Sequence, residues 1–212
     1  SLHCDVAMSL MGRWLRRERF RFSEPGPLID RELELVEPGV RYLDDMVSSV
    51  EHPECVARGH PNLSRSELWR FIESCPRGRD WGDESSGRVP AYTFWMRLRP
   101  AYNPPVSMAG SINLRLGTSV DLTHYVGQVG YGVFPPARGK HLAERACRLV
   151  MPLVRRHGLR ELWITCNPDN TPSRRTCERL GGELVEIVEL PDDHALRRRG
   201  ETHKCRFRIA LS

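Results

Sequence analysis

The chain has 212 residues, 40% hydrophobic and 28% charged, with a formal net charge of +5. These values suit one globular domain with a real core, and no stretch approaches the ~20 apolar residues needed to cross a bilayer. Five arginines (Arg13, Arg16, Arg17, Arg19, Arg21) opposed by Asp5 and Glu18 put +3 of that charge in the first 22 residues. No basic stripe interleaved with aromatics runs through the remainder, so composition argues against nucleic acid as the partner.

Seven cysteines stand at 4, 55, 75, 147, 166, 177 and 205, an odd count with no C-x-x-C pair. A disulfide framework and a structural zinc site are both disfavoured, and a cytoplasmic location is expected. In "SLHCDVAMSLMGRWLRRERF" the charges follow the apolar part, the reverse of a secretory signal. Residues 1–30 are expected as a basic arm and linker, with "SEPGPLIDR" (23–31) marked by two prolines and a glycine, and residues 31–212 as a single domain.

The first element is a short alternating strand, "LELVEP" (33–38), closed by Pro38 and Gly39. Val40, Leu43, Met46, Val47 and Val50 then follow helical spacing. Ser64-x-x-Glu67 is a reciprocal capping pattern opening a helix that repeats Leu68, Phe71, Ile72 and Cys75. Residues 76–90 read as a polar loop. From 91 the pattern becomes that of strands: "AYTFWMRLR", a turn at "AYNPP", "VSMAGSINLRL", a connection "GTSVDLTH", and "YVGQVGYGVF", loosened by three glycines. Short turns between adjacent strands imply an antiparallel meander.

Leu142, Ala143, Ala146, Cys147, Val150, Leu153 and Val154 mark one face of a helix that stops at His157-Gly158, with Pro152 expected to kink its last turn. "ELWITC" (161–166) reads as a buried strand parallel to 125–134 across this helical crossover. "NTPSRRTCERLGG" reads as a helix with Asn170 or Thr171 capping, Pro172 in its first turn and Gly181 ending it. "ELVEIVEL" and "KCRFRIAL" are the final strands, around a polar loop, "PDDHALRRRGETH". No internal repeat or low-complexity tract occurs.

The stretch "VFPPARGKHLA" (133–143) sets positive charge and bare backbone where a strand hands over to a helix. A helix start exposes unpaired N–H groups and the positive end of its dipole. Gly139 has no side chain to hold a ligand away, and the amides of Lys140, His141, Leu142 and Ala143 follow it. That arrangement suits a diphosphate, and an ordinary strand-to-helix turn is the plainer alternative. Neither G-x-x-x-x-G-K-[ST] nor G-x-G-x-x-G is present.

With these residues in view, "GYGVFPPARGKHLAERACRLV" and "LWITCNPDNTPSRRTCERLGGELVE" resemble the GNAT superfamily of N-acetyltransferases, in particular a bacterial branch with a long N-terminal half. The resemblance covers about residues 106–190, extends more loosely over 33–105, and is absent from 1–30. The family motif Arg/Gln-x-x-Gly-x-Gly/Ala falls on Arg138, Gly139, Lys140, His141, Leu142 and Ala143, with His141 in place of a glycine and a shift of the loop expected there. A second motif, Asn-x-x-Ala, falls on Asn170 through Ser173.

The resemblance implies an α/β fold: a mixed, mostly antiparallel sheet splayed between two parallel central strands, with helices on both faces. It implies acetyl-CoA as cosubstrate and no metal. Its diphosphate would lie on the amides from Gly139, and its pantetheine arm would pair with backbone at Val133 and Phe134 and touch the Asn170–Ser173 region. A backbone N–H between Tyr131 and Val133 would face the thioester carbonyl. The family's frequent base position holds Gln128, which has no basic lone pair, leaving His124, Asp121 and Tyr131 as candidates. The family's frequent acid position holds Cys177.

The expected activity is acetyl transfer to a primary amine of a small molecule or peptide by direct attack. A module that holds acyl-CoA without turnover is the alternative. No G-x-S-x-G or H-E-x-x-H supports a nucleophilic serine or a zinc hydrolase. Tyr92, Trp95 and Trp69 are candidates for an aromatic wall at the acceptor. Asp192 and Asp193 favour a cationic acceptor and Arg197 to Arg199 an acidic one, so the acceptor stays open, as does a homodimer.

Overall fold

Alternation and helical spacing resolve into two antiparallel sheets that lean against one another. The computed structural model describes residues 20–61 and 63–211, so most of the arginine-rich arm and Cys4 lie outside the described residues. The first sheet orders β1 (Leu33–Val36), β3 (Ala91–Leu98), β4 (Met108–Arg115) and β5 (Val129–Val133), with the two-residue β2 (Arg79–Asp80) paired on β3. The second orders β6 (Glu161–Cys166), β8 (His203–Ala210) and β7 (Glu183–Glu189).

Helices cover both faces, as expected. On the inner face, α4 (Leu142–Arg156) and α5 (Thr171–Arg179) bury Leu142, Ala146, Val150, Leu153 and Cys177 against Ile112, Leu114, Leu162, Ile164 and Phe207 of both sheets. On the outer face, α1 (Leu43–Val50), α2 (Pro53–Arg58) and α3 (Arg65–Ser74) bury Leu43, Met46, Cys55 and Leu68 against Trp95, Met108 and Phe134. The capping box at Ser64 and Glu67 forms in full. Asn170 caps α5, its Oδ1 accepting from Ser173 N at 3.1 Å. Such caps satisfy donors that a helix start leaves unpaired.

Several boundaries depart from expectation. Helix α2 falls where no element was predicted: Pro53 starts it, His52 Nδ1 accepts from Glu54 N, and Gly59 ends it in the left-handed region. Proline at the first turn and glycine past the end are legible helix signals, but the helix they bound is only six residues long. The strand expected over 125–134 begins at Val129, because Leu122–Val126 form a π-helical turn that closes on Gly127 at φ 82°. Helix α4 runs on to Arg156 with Pro152 inside it. Residues 20–30 lie along the domain: the Phe22 ring meets Tyr92 edge-on at 4.8 Å, and Leu28 is buried.

Candidate active site

The centre of the molecule is the seam between β5 and β6. The two strands share no ladder, so the expected splay is a full parting into two sheets. They touch at Gln128, which is 1% exposed. Its backbone N–H donates to Trp163 O, its side-chain Oε1 accepts from Trp163 N, and its Nε2 donates to Gly117 O, at 2.8, 2.8 and 2.7 Å. One glutamine thus supplies with its side chain the bond a neighbouring strand would normally accept, and the pairing stops there.

Beyond this clasp β5 has one partnered edge and one open edge. Gly130 and Gly132 stand opposite Asn113 and Ser111 in the β4 ladder. Flanking bonds from Arg115 N to Gln128 O and from Phe134 N to Ala109 O set the phase of that ladder. In an antiparallel pair the groups of intervening residues point the other way, so the N–H and C=O of Tyr131 and Val133 face the parting. A Cβ on Gly110, at φ 145°, would lie 1.9 Å from Gly132 O. Only glycine lets β4 sit this close behind β5.

The open edge leads directly to the start of α4. There the amides of the six residues from Gly139 to Glu144 donate to no protein group among the described residues. Gly139 takes φ 85° and has nothing within 4 Å of where a Cβ would stand. His141 adopts φ 53°, ψ 28°, in the left-handed region that favours glycine. That backbone carries a conformational cost of about 1 kcal/mol for a residue with a Cβ. Replacing His141 with glycine is expected to raise the melting temperature by roughly 2–4 °C, and a thermal melt that does not rise would show that the histidine is unstrained.

Charged side chains hold this helix start in place. Arg145 makes a two-pronged pair with Asp30 at 2.7 Å on each oxygen and reaches Glu32 at 3.2 Å, while Lys140 Nζ pairs with Glu32 at 3.0 Å. Burial alone would raise the Asp30 carboxyl, but Arg145 and the amides of Leu33 and Glu32 outweigh it and hold it at about 2. Arg138 Nε donates to Val133 O at 3.0 Å, spanning the strand end and the cradle.

The remaining predicted residues fall into separate groups. Tyr131 reaches from β5 to α5, its hydroxyl 2.9 Å from Ser173 Oγ, and burial pushes the phenol well above its ordinary range. Cys177 is fully buried; its hydrogen bond to Cys166 raises the Cys177 thiol and lowers the Cys166 thiol. His124 Nδ1 lies 3.1 Å from Val120 O, and the ring lines a cavity of about 440 Å³ together with Gln128, Trp163 and Arg206. Asp121 Oδ1 lies 2.8 Å from His194 Nε2, whose other nitrogen accepts from Leu196 N.

Of the expected aromatic wall, Tyr92 and Trp95 belong to the core, at 1% and 3% exposure, and only Trp69 is exposed. Arg197 is paired with Asp192 and Glu189. The clasp made by Gln128 escaped the sequence reading, which registered only that a glutamine stands where a base was expected.

A parted strand pair leading to an open helix start defines the acetyltransferase architecture, and the comparisons agree. The family model described as "Acetyltransferase (GNAT) domain" matches residues 32–183. The chain belongs to the GNAT acetyltransferase family. No curated protein matches it.

Among solved structures, the microcin C7 self-immunity acetyltransferase MccE, in complex with acetyl-CoA and AMP, is 16% identical with a TM-score of 0.63, covering 90% of this chain and 98% of its own. A GCN5-related N-acetyltransferase from Brucella melitensis is 16% identical with a TM-score of 0.61, covering 90% and 80%. The ribosomal L7/L12 alpha-N-protein acetyltransferase RimL, in complex with coenzyme A, is 15% identical with a TM-score of 0.59, covering 86% and 96%. At these identities the likeness establishes the fold. Among the described residues no helix is long and apolar enough to cross a membrane.

Proposed function

We propose that this protein transfers the acetyl group of acetyl-CoA to a primary amine. The observation that carries the reading is the run of six unpartnered amides, Gly139 to Glu144, in line with the open edge of β5. A diphosphate fits such a helix start, where the N–H groups and the dipole both favour anionic oxygen. Arg138 and Lys140 add charge at its rim. When Arg138 turns to the diphosphate it releases Val133 O, which then accepts from an amide of the pantetheine arm as an added strand would. Tyr131 N–H faces the position of the thioester carbonyl and stabilises the charge that develops on its oxygen.

An alkylamine with a pKa near ~10 must lose a proton before attack. In this reading His124 accepts it. Donation from Nδ1–H to Val120 O leaves Nε2 as the basic nitrogen of a residue that lines the cavity beside Gln128. The amine nitrogen bonds to the carbonyl carbon, the C–S bond breaks, and the thiolate leaves. Tyr131, kept protonated by its burial, gives that thiolate a hydrogen bond; the second proton of the attacking nitrogen passes through water to the thiolate, and His124 releases the first to solvent. Ser173 orients the phenol. Cys177 stands one thiol further back, on Cys166.

Calorimetric titration with acetyl-CoA, followed by thiol release against a panel of primary amines, tests the assignment. Saturable binding with amine-dependent release is expected. Binding without release would make the protein a module that holds acyl-CoA, and the absence of both would overturn the reading.

A further inference from the structure

The outer face of β4 and β5, opposite the face that carries the Tyr131 side chain, holds a cation without a carboxylate partner among the described residues. Arg115, the last residue of β4, is half-buried, and its guanidinium points its two terminal nitrogens edge-on at Gly130: a Cβ there would stand 3.3 Å from both Nη1 and Nη2. Its one hydrogen bond among the described residues runs from Nη1 to Gly127 O at 3.0 Å, and no carboxylate among them pairs with it. Arg79, Arg97, Arg145 and Arg206, themselves partly or wholly buried, each meet a glutamate or aspartate. Only burial acts on Arg115, and it lowers the guanidinium's affinity for its proton. A cation removed from water without a counter-charge is destabilising unless something else compensates.

A second polar group on this face is also incomplete. Asn113, two residues back along β4 and opposite Gly130, spends its amide N–H groups on Tyr92 O and Thr93 Oγ1. Its Oδ1 is buried with no partner. Buried acceptors are nearly always satisfied in folded proteins. A guanidinium with free donors and a carbonyl lacking a proton therefore sit side by side. The strand beneath them presents no side chain at Gly130 or Gly132, and at Gly132 nothing among the described residues lies within 4 Å of where a Cβ would stand.

We propose that Arg115 and Asn113 form the acceptor-recognition site, and that the acceptor is an amine carrying an anionic group, a carboxylate or a phosphate. The guanidinium holds the anionic oxygens above Gly130, the Asn113 carbonyl receives an N–H from the acceptor, and the amine nitrogen is presented along the two glycines. This assignment rests on the acetyl-transfer reading, while the anion site itself does not.

The test uses acetylated product analogues, so that no turnover is needed. N-acetylglycine, N-acetylglycinamide and N-acetylphosphoethanolamine are titrated into the full chain with coenzyme A present, following calorimetric affinity and the Arg115 Nε–H resonance. At least one anionic probe is expected to bind tenfold or more tightly than N-acetylglycinamide and to move that resonance, and the tighter of the two names carboxylate or phosphate. Arg115→Gln, which retains a donor for Gly127 O, should lose the tenfold preference, and Arg115→Lys should retain part of it, with acetyl-CoA affinity unchanged in both. Equal affinity for charged and neutral probes, no binding by either anion, or an undiminished preference in Arg115→Gln would overturn the proposal. If an anion binds at Arg115 while no amine releases thiol from acetyl-CoA, the anion site stands and the transferase reading falls.

Discussion

Replacing Gln128 with leucine is expected to destabilise the protein by about 3 kcal/mol, lowering the melting temperature by roughly 6–12 °C. Leucine is close in size, so the loss comes from polar groups and not from a cavity. Trp163 N–H and Gly117 C=O would each lose a partner that the buried Gln128 side chain supplies, and an orphaned buried donor or acceptor costs about 1–3 kcal/mol. The same change unfastens the point at which the two sheets meet, so acetyl-CoA turnover should fall more than acetyl-CoA binding. Gln128→Glu separates this role from the family's base position. The new carboxylate would face Gly117 O instead of donating to it, and no gain in rate is expected. Differential scanning calorimetry with steady-state thiol release checks both variants. A Gln128→Leu protein that melts with the wild type would show that the clasp contributes nothing.

The second large effect is expected at Arg138. Reversing its charge with Arg138→Glu should weaken acetyl-CoA binding by about 30- to 150-fold, equivalent to ~2–3 kcal/mol for a charge-assisted contact. Arg138 is exposed, and its one bond is to Val133 O, so thermal stability should change little. Arg138→Ala removes the same strap without adding a negative charge and should weaken binding less. Calorimetric titration measures both, and an Arg138→Glu affinity within threefold of the wild type would contradict the placement of the diphosphate.

Much of this arrangement was legible in the sequence because its causes are local. The capping box at Ser64 and Glu67, the apolar face from Leu142 to Val154, and the glycine-punctuated strand before Arg138 each depend on residues within a turn or two of one another. The open helix start was legible for the same reason: glycine at 139 and the helix after it are adjacent in the chain.

What escaped was nonlocal. Gln128 clasps Trp163 from 35 residues away, and no spacing rule connects a glutamine on one strand to a main-chain amide on another. Asp30 read as part of a linker, yet it and Glu32 anchor Arg145 from 115 and 113 residues away. Nothing in the sequence singles out Arg115. That no carboxylate among the described residues pairs with it emerges only once every neighbouring carboxylate has been placed. The departure at His141 was visible as a mismatch to a motif. Its consequence was not, because a side chain in the left-handed region is disfavoured without being forbidden.

The central claim is that main-chain amides from Gly139 onward receive a diphosphate while the open edge of β5 receives the thiol arm. Amide resonances and hydrogen exchange of ¹⁵N-labelled protein, titrated with coenzyme A and separately with pantetheine, test it residue by residue. Coenzyme A should shift and protect the amides of Gly139 to Glu144 together with those of Tyr131 and Val133, whereas pantetheine should move only the latter pair. Saturating coenzyme A that leaves the six amides of the helix start unmoved would contradict the account.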